Sequence, residues 1–139
     1  LDIERYPDVA QQIVATFPQV RMVAITLRES VSASFNRWGA MLYEAKEKRS
    51  FFAPLAQDGT YSPFEIRNIV DRVGAGDAFC GALVYALRDP ELSADLQQAV
   101  AFASAAGALC HSVVGDFNFA TRDEITALAH GSGSGRVKR

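Results

Sequence analysis

Apolar residues recur at two different periods along this 139-residue chain, and the change of period divides it into elements. Val9, Ile13, Val14 and Phe17 follow helical spacing after Pro7 and Asp8, both suited to a first helical turn; Pro18 stops that helix. "RMVAITL" (Arg21 to Leu27) is a compact, β-branched-rich run and predicts a central strand buried on both faces. "VSASFNRWG" and "AMLYEA", separated by a turn at Gly39, then "KRSFFAPL", predict consecutive strands, two of them hairpin-paired. "QDGTYSP" is a turn, and "EIRNIV" (Glu65 to Val70) a short strand.

From there the period is helical. One helix is expected from Gly76 to Leu87, closed by "RDP", and a second from a Ser93 cap through "ADLQQAVAFASAAGALCH". Ala99 to Cys110 is nearly free of polar side chains and dense in alanine, which lets a neighbouring helix approach closely; it reads as core rather than membrane. A loop around Gly115 leads to a last helix from Thr121 to Ala129, with Glu124 completing a capping box on Thr121. Residues 1–130 thus form one α/β domain, and 131–139 ("GSGSGRVKR") a flexible basic tail.

Composition narrows the picture. Hydrophobic content of 49% and charged content of 22% are those of an ordinary globular chain. A net charge of −2 supplies no basic excess for a nucleic-acid backbone, and the Lys46, Lys48, Arg49 cluster is interleaved with Glu44 and Glu47 as on a solvated face. No apolar run reaches bilayer-spanning length, so no membrane partner is expected. Cys80 and Cys110 stand apart, without a CxxC or neighbouring histidines; they read as reduced core thiols of a cytoplasmic protein, and no metal site is expected on them.

The chemistry concentrates in "DRVGAGDAFCGALVYAL", Asp71 to Leu87. A strand, a glycine-rich turn and a helix N-terminus together hold a phosphate, because orphan N–H groups point outward where the helix dipole is positive. Gly74, Ala75 and Gly76 let a phosphoryl group approach the backbone. The spacing is neither GxxxxGK[ST] nor GxGxxG. Asp77 is out of place beside an anion unless it meets a hydroxyl attacking that phosphorus, where a carboxylate accepts the proton. The plainer reading is a first-turn acid favoured by the dipole.

"DRVGAGDAF" closely resembles the D-T-x-G-A-G-D signature of the ribokinase-like, or PfkB, sugar kinases. That resemblance implies a Rossmann-like three-layer α/β/α fold, of which this chain is the C-terminal, nucleotide-binding half only. It implies Asp77 as catalytic base acting on the sugar hydroxyl, and Gly74, Ala75 and Gly76 as the anion hole, with Asp71 shaping the loop. Arg72 stands where the family has threonine or serine. Thr26 maps to the nucleotide side of a strand end, and Arg28 replaces a usual glycine, facing either a phosphate or Glu29. Asn118 matches a position near the adenine pocket and is equally a turn-stabilising residue; His111 is a helix C-cap or a nucleotide contact. Phe35 and Trp38 read as sheet packing.

"TLRESVSASFNRWGAMLYEA" and "CHSVVGDFN" are similar to segments of the bacterial 2-dehydro-3-deoxygluconate kinases of that family. The resemblance implies ATP and Mg²⁺ as cofactors and a small sugar acid as substrate. It also implies an N-terminal half, carrying the sugar site and magnesium-organising residues, as the segment's partner. Oligomeric state, including a homo-oligomer, stays open. Ribose- or fructose-type kinases are the same-class alternative, and a nucleotide-binding fragment or regulatory relative without turnover the different-class one.

Overall fold

A computed structural model describes residues 2–131, so the basic tail expected at 131–139 lies, from 132 on, outside the described residues. Helix α1 (Tyr6–Thr16) is followed by strands β1 (Met22–Ser32), β2 (Phe35–Glu44), β3 (Arg49–Ala53) and β4 (Phe64–Arg67), then by helices α2 (Ala75–Arg88), α3 (Leu96–Cys110) and α4 (Arg122–Ala129). All strand pairs are antiparallel. β1 pairs β2 along its length, while β3 and β4 share the other edge of β2, at residues 40–44 and 35–38 respectively.

Alternation along β2 builds three layers. Trp38, Ala40 and Leu42 point to one face and pack with Ala75, Phe79 and Leu83 of α2 and Val100 and Ala103 of α3. Met41 and Tyr43 point to the other and join Val23 and Leu27 of β1 and Ala10 of α1. The α/β/α layering implied by the resemblance is therefore present. α3 is the central helix, buried from Ala99 to Cys110 apart from a partly exposed Ala101, because its alanines let the sheet, α2 and α4 all close on it. No helix among the described residues is long and apolar enough to cross a membrane. The capping box of α4 forms as the sequence predicts, Thr121 and Glu124 each satisfying the other's backbone N–H.

Four expectations are corrected. The chain does not turn at Gly39: β2 runs straight through it, and the turn is at Ala33 and Ser34, after a bulge at Val31. Gly39 is demanded by space, since a Cβ there would overlap the Tyr61 hydroxyl and lie 2.6 Å from the Ala53 carbonyl oxygen. β1 is not buried on both faces. It is an edge strand of the described sheet, with Val23 and Leu27 covered by α1 while Ala24, Thr26 and Arg28 are exposed. β4 ends at Arg67 instead of Val70, because Asn68 takes a left-handed conformation (φ 59°) that a strand cannot continue through. Ser93 does not cap α3. It sits in a single 3₁₀ turn (Leu92–Ala94), and Asp95, extended at φ −136°, takes the cap by accepting from the Gln97 N–H at 2.9 Å.

Candidate active site

Between β4 and α2 the chain crosses seven residues, 68–74, without regular structure, and the N–H groups of five of them, Ile69 to Val73, are each bonded. The Ile69 N–H donates to the Ser34 carbonyl at 3.3 Å, and the Val70 and Asp71 N–H groups donate to the His111 carbonyl at 3.0 and 3.5 Å. The Asp71 carboxylate then folds the loop on itself. One oxygen accepts from the N–H groups of Arg72 (2.6 Å) and Val73 (3.0 Å), the other from Gly115 (3.0 Å) across the following loop. Those three backbone donors, Val73 foremost, hold the Asp71 carboxyl below its ordinary pKa. Behind the loop, the Cys110 thiol lies 3.7 Å from the Val73 carbonyl, and burial pushes its pKa up. Cys110 is the core thiol the sequence predicts; Cys80 is not, because its position on α2 leaves it exposed.

The loop delivers Gly74 as the N-cap of α2 at φ +81°, ψ −11°. No other residue suits the position, since the conformation is left-handed and a Cβ would overlap the Asp116 carbonyl oxygen. The Gly74 carbonyl accepts the first helical bond, from Ala78 at 2.7 Å. The N–H groups of Ala75, Gly76 and Asp77 belong to the first turn and have no intrahelical acceptor. Ala75 is buried against the core. Gly76 and Asp77 are exposed, and Asp77 makes no hydrogen bond or ion pair among the described residues.

Gly76 differs from Gly74. A Cβ at Gly76 would meet nothing within 4 Å, and its φ is not in the left-handed region. Folding alone therefore does not ask for glycine, which costs a helix up to about 1 kcal/mol relative to alanine. The residue leaves bare backbone facing open space, which is what a close-approaching anion requires.

The other sequence-nominated residues fall in three places. Thr26 and Arg28 are exposed on β1, on the sheet face they share with their partners Ala40 and Trp38. Arg28 is near enough for its charge to act on His111, whereas Thr26 stands about 20 Å along the strand from Ser32 at 3.4 Å per residue. His111 is fully buried at the C-cap of α3. Its Nδ1 donates to the Gly107 carbonyl at 2.8 Å, its ring stands edge-on to Trp38 with centroids 5.1 Å apart, and its Nε2 has no partner. Burial pushes its pKa below the ordinary value. Its backbone N–H donates to the Ala108 and Leu109 carbonyls at the end of the helix. Asn118 uses both ends of its amide on the backbone, donating to the Ala106 carbonyl at 2.9 Å and accepting from the Ala120 N–H at 3.0 Å, as a turn-stabilising residue does.

Trp38 and Gly107 tie the sheet to the turn. The indole Nε1 donates to the Ser104 carbonyl at 3.0 Å, and the ring lies where a Gly107 side chain would be, beside the Ala75 carbonyl. Two further participants escaped the sequence reading. Asp116 packs its backbone on Gly74, and the hairpin tip at Ser32 and Ala33 receives the Arg72 guanidinium. The signal for the second was present, since a long cation stands at a signature position that normally holds a small hydroxyl residue.

Residues 45–123 match the model of the pfkB family carbohydrate kinases. The fold superposes on the crystal structure of 2-dehydro-3-deoxygluconokinase from Thermotoga maritima with a TM-score of 0.76 and 39% identity over 92% of this chain. A PfkB family carbohydrate kinase from Listeria grayi gives 0.72 and 28% over 86% of the chain. A candidate 2-keto-3-deoxygluconate kinase from Enterococcus faecalis gives 0.68 and 21% over 96%, a likeness of fold alone. The chain covers 35%, 33% and 34% of those three proteins. No curated protein matches the sequence.

Proposed function

Because the chain belongs to the pfkB family of carbohydrate kinases, we propose that it supplies the phosphoryl-transfer end of an ATP-dependent sugar-acid kinase. The reaction is transfer of the γ-phosphoryl group of ATP to the 6-hydroxyl of 2-dehydro-3-deoxy-D-gluconate. The observation that carries this reading is the pairing of Gly76 with Asp77: bare backbone that the fold does not require, next to an exposed carboxylate without a partner. The substrate rests on the 39% identity to the Thermotoga maritima enzyme.

Each group has a task on this reading. The N–H groups of Ala75, Gly76 and Asp77, fixed by the Asp71 loop and the α2 dipole, stabilise charge on the equatorial oxygens of the migrating phosphoryl group. Asp77 accepts the proton of the attacking hydroxyl as its oxygen bonds to phosphorus and the bond to ADP breaks. Thr26 and Arg28 flank the nucleotide from β1, and His111 and Asn118 act from behind, holding the loops that frame it. Magnesium, when bound, neutralises phosphate charge. The described residues form no cage for the ion, because no three His, Cys, Asp or Glu side chains among them converge. Its ligands and the sugar site belong, on this reading, to residues outside the chain, in keeping with its share of about a third of each related structure.

The test is Asp77→Asn in the full-length gene product. ATP binding is retained, and turnover of the sugar acid falls by about 10²–10⁴-fold. Turnover near that of the unsubstituted enzyme overturns the base assignment. Faster turnover of ribose or fructose than of the sugar acid overturns the substrate.

A further inference from the structure

Arg72 reaches out of the anion-binding loop and grips the tip of the β1–β2 hairpin. Its Nη2 donates to the Ser32 carbonyl at 2.9 Å and to the Ala33 carbonyl at 2.6 Å, across a sequence separation of 40 and 39 residues. We propose that Arg72 is a positioning residue for phosphoryl transfer, fixing the anion-hole turn against the hairpin whose first strand carries Thr26 and Arg28. This rests on the functional reading above.

Three observations converge on it. First, the loop has separate anchors on its other sides. Asp71 secures it to Gly115, the His111 carbonyl secures it to the end of α3, and Asp116 packs on Gly74. Toward the hairpin, the ties are the Ile69 N–H at 3.3 Å and the two Arg72 bonds, of which the Arg72 pair is the shorter. Second, Ser32 ends β1 and Ala33 opens the two-residue turn, directly after the bulge at Val31 that interrupts the ladder. Their carbonyls are available to an outside donor, and a guanidinium can serve two acceptors at once where an ammonium serves them less rigidly. Third, Arg72 is separated from Gly74, whose φ of +81° starts α2, by Val73 alone. A shift of the Arg72 backbone is therefore passed directly to the N–H groups of Ala75, Gly76 and Asp77. A misplacement of about 1 Å in such donors is enough to lower a rate by about 10²-fold.

The experiment compares Arg72→Met, Arg72→Lys and Asp77→Asn with the unsubstituted full-length gene product, by steady-state kinetics with ATP and the sugar acid and by thermal unfolding. For Arg72→Met, kcat is expected to fall at least tenfold while both KM values stay within threefold; Arg72→Lys, which keeps a donor in reach of the same carbonyls, recovers part of the loss. A lowered melting temperature with kcat unchanged makes the contact a stability tie and overturns the proposal. A raised KM for ATP with kcat unchanged makes Arg72 a direct nucleotide ligand and also overturns it. Turnover that Asp77→Asn abolishes but Arg72→Met leaves intact overturns this assignment alone. No turnover in the unsubstituted protein overturns the functional reading, and this assignment with it.

Discussion

The carbonyl oxygen of Asp116 lies against the α-carbon of Gly74, at the place where any other residue would carry its first side-chain atom. Two loops distant in sequence thereby meet with no side chain between them, and the meeting sets the start of α2.

Gly74 and Gly76 should consequently separate stability from catalysis. Gly74→Ala forces a side chain into a left-handed conformation and onto the Asp116 backbone, so it should lower unfolding free energy by about 2 kcal/mol or more. Gly76→Ala enters open space and should be neutral to stabilising by up to about 1 kcal/mol, yet reduce kcat/KM at least tenfold by crowding the anion. Urea unfolding and kinase assays on the full-length gene product measure both. A Gly76→Ala enzyme of full activity would contradict the site.

Gly107→Ala should behave like the first of these. The new methyl group would lie 2.5 Å from Cζ2 of Trp38, and the indole is pinned by its bond to the Ser104 carbonyl. Overpacking at such a place costs about 1–3 kcal/mol. The check is the urea midpoint, which should drop with little change in the slope of the transition.

Acid should weaken the fold through Asp71. Its folded pKa is depressed, so its stabilising contribution is complete above the unfolded value of about 3.8 and is lost as pH falls through the folded one. Asp58 and Asp89 are shifted in the same direction and add to the wild-type slope. Melting temperatures between pH 5 and pH 2 should fall less steeply for Asp71→Asn than for the unsubstituted protein; parallel curves would refute the assignment.

A second, milder window belongs to His111. Burial disfavours its protonated form, so stability is complete above the ordinary value of 6.5 and declines as pH drops from there toward the lowered folded value. His111→Gln should be less stable at neutral pH but should flatten the change between pH 7 and pH 5. Equal slopes in the two proteins would show that the imidazole does not titrate at a cost.

How much of this was legible beforehand depends on the kind of signal. The α2 motif, the Thr121 and Glu124 cap and the alanine-dense α3 were readable because each is a local pattern that the tertiary structure then uses. Gly39 was misread because glycine marks turns and close approaches alike, and only the position of Tyr61, 22 residues later, separates the two. Ser93 and Asp95 are both good caps, and the choice fell to Asp89, whose carboxylate accepts the Glu91 and Leu92 N–H groups and delays the helix. In the site, the acidic and glycine residues were readable from chemistry. The Arg72 tie was not, because its acceptors are backbone carbonyls and carry no sequence identity.

The outer edge of β1 has a practical consequence. Along this 11-residue strand, the residues that alternate with those bonded to β2 turn their N–H and C=O groups outward, unclaimed by any neighbouring strand among those described, with no proline to interrupt the row. Hydrogen-bonding groups arranged in this way template further strands, so the purified segment should be a concentration-dependent self-associator. The practical remedy is dilution, or co-expression with whatever chain completes the sheet, before its binding properties are measured.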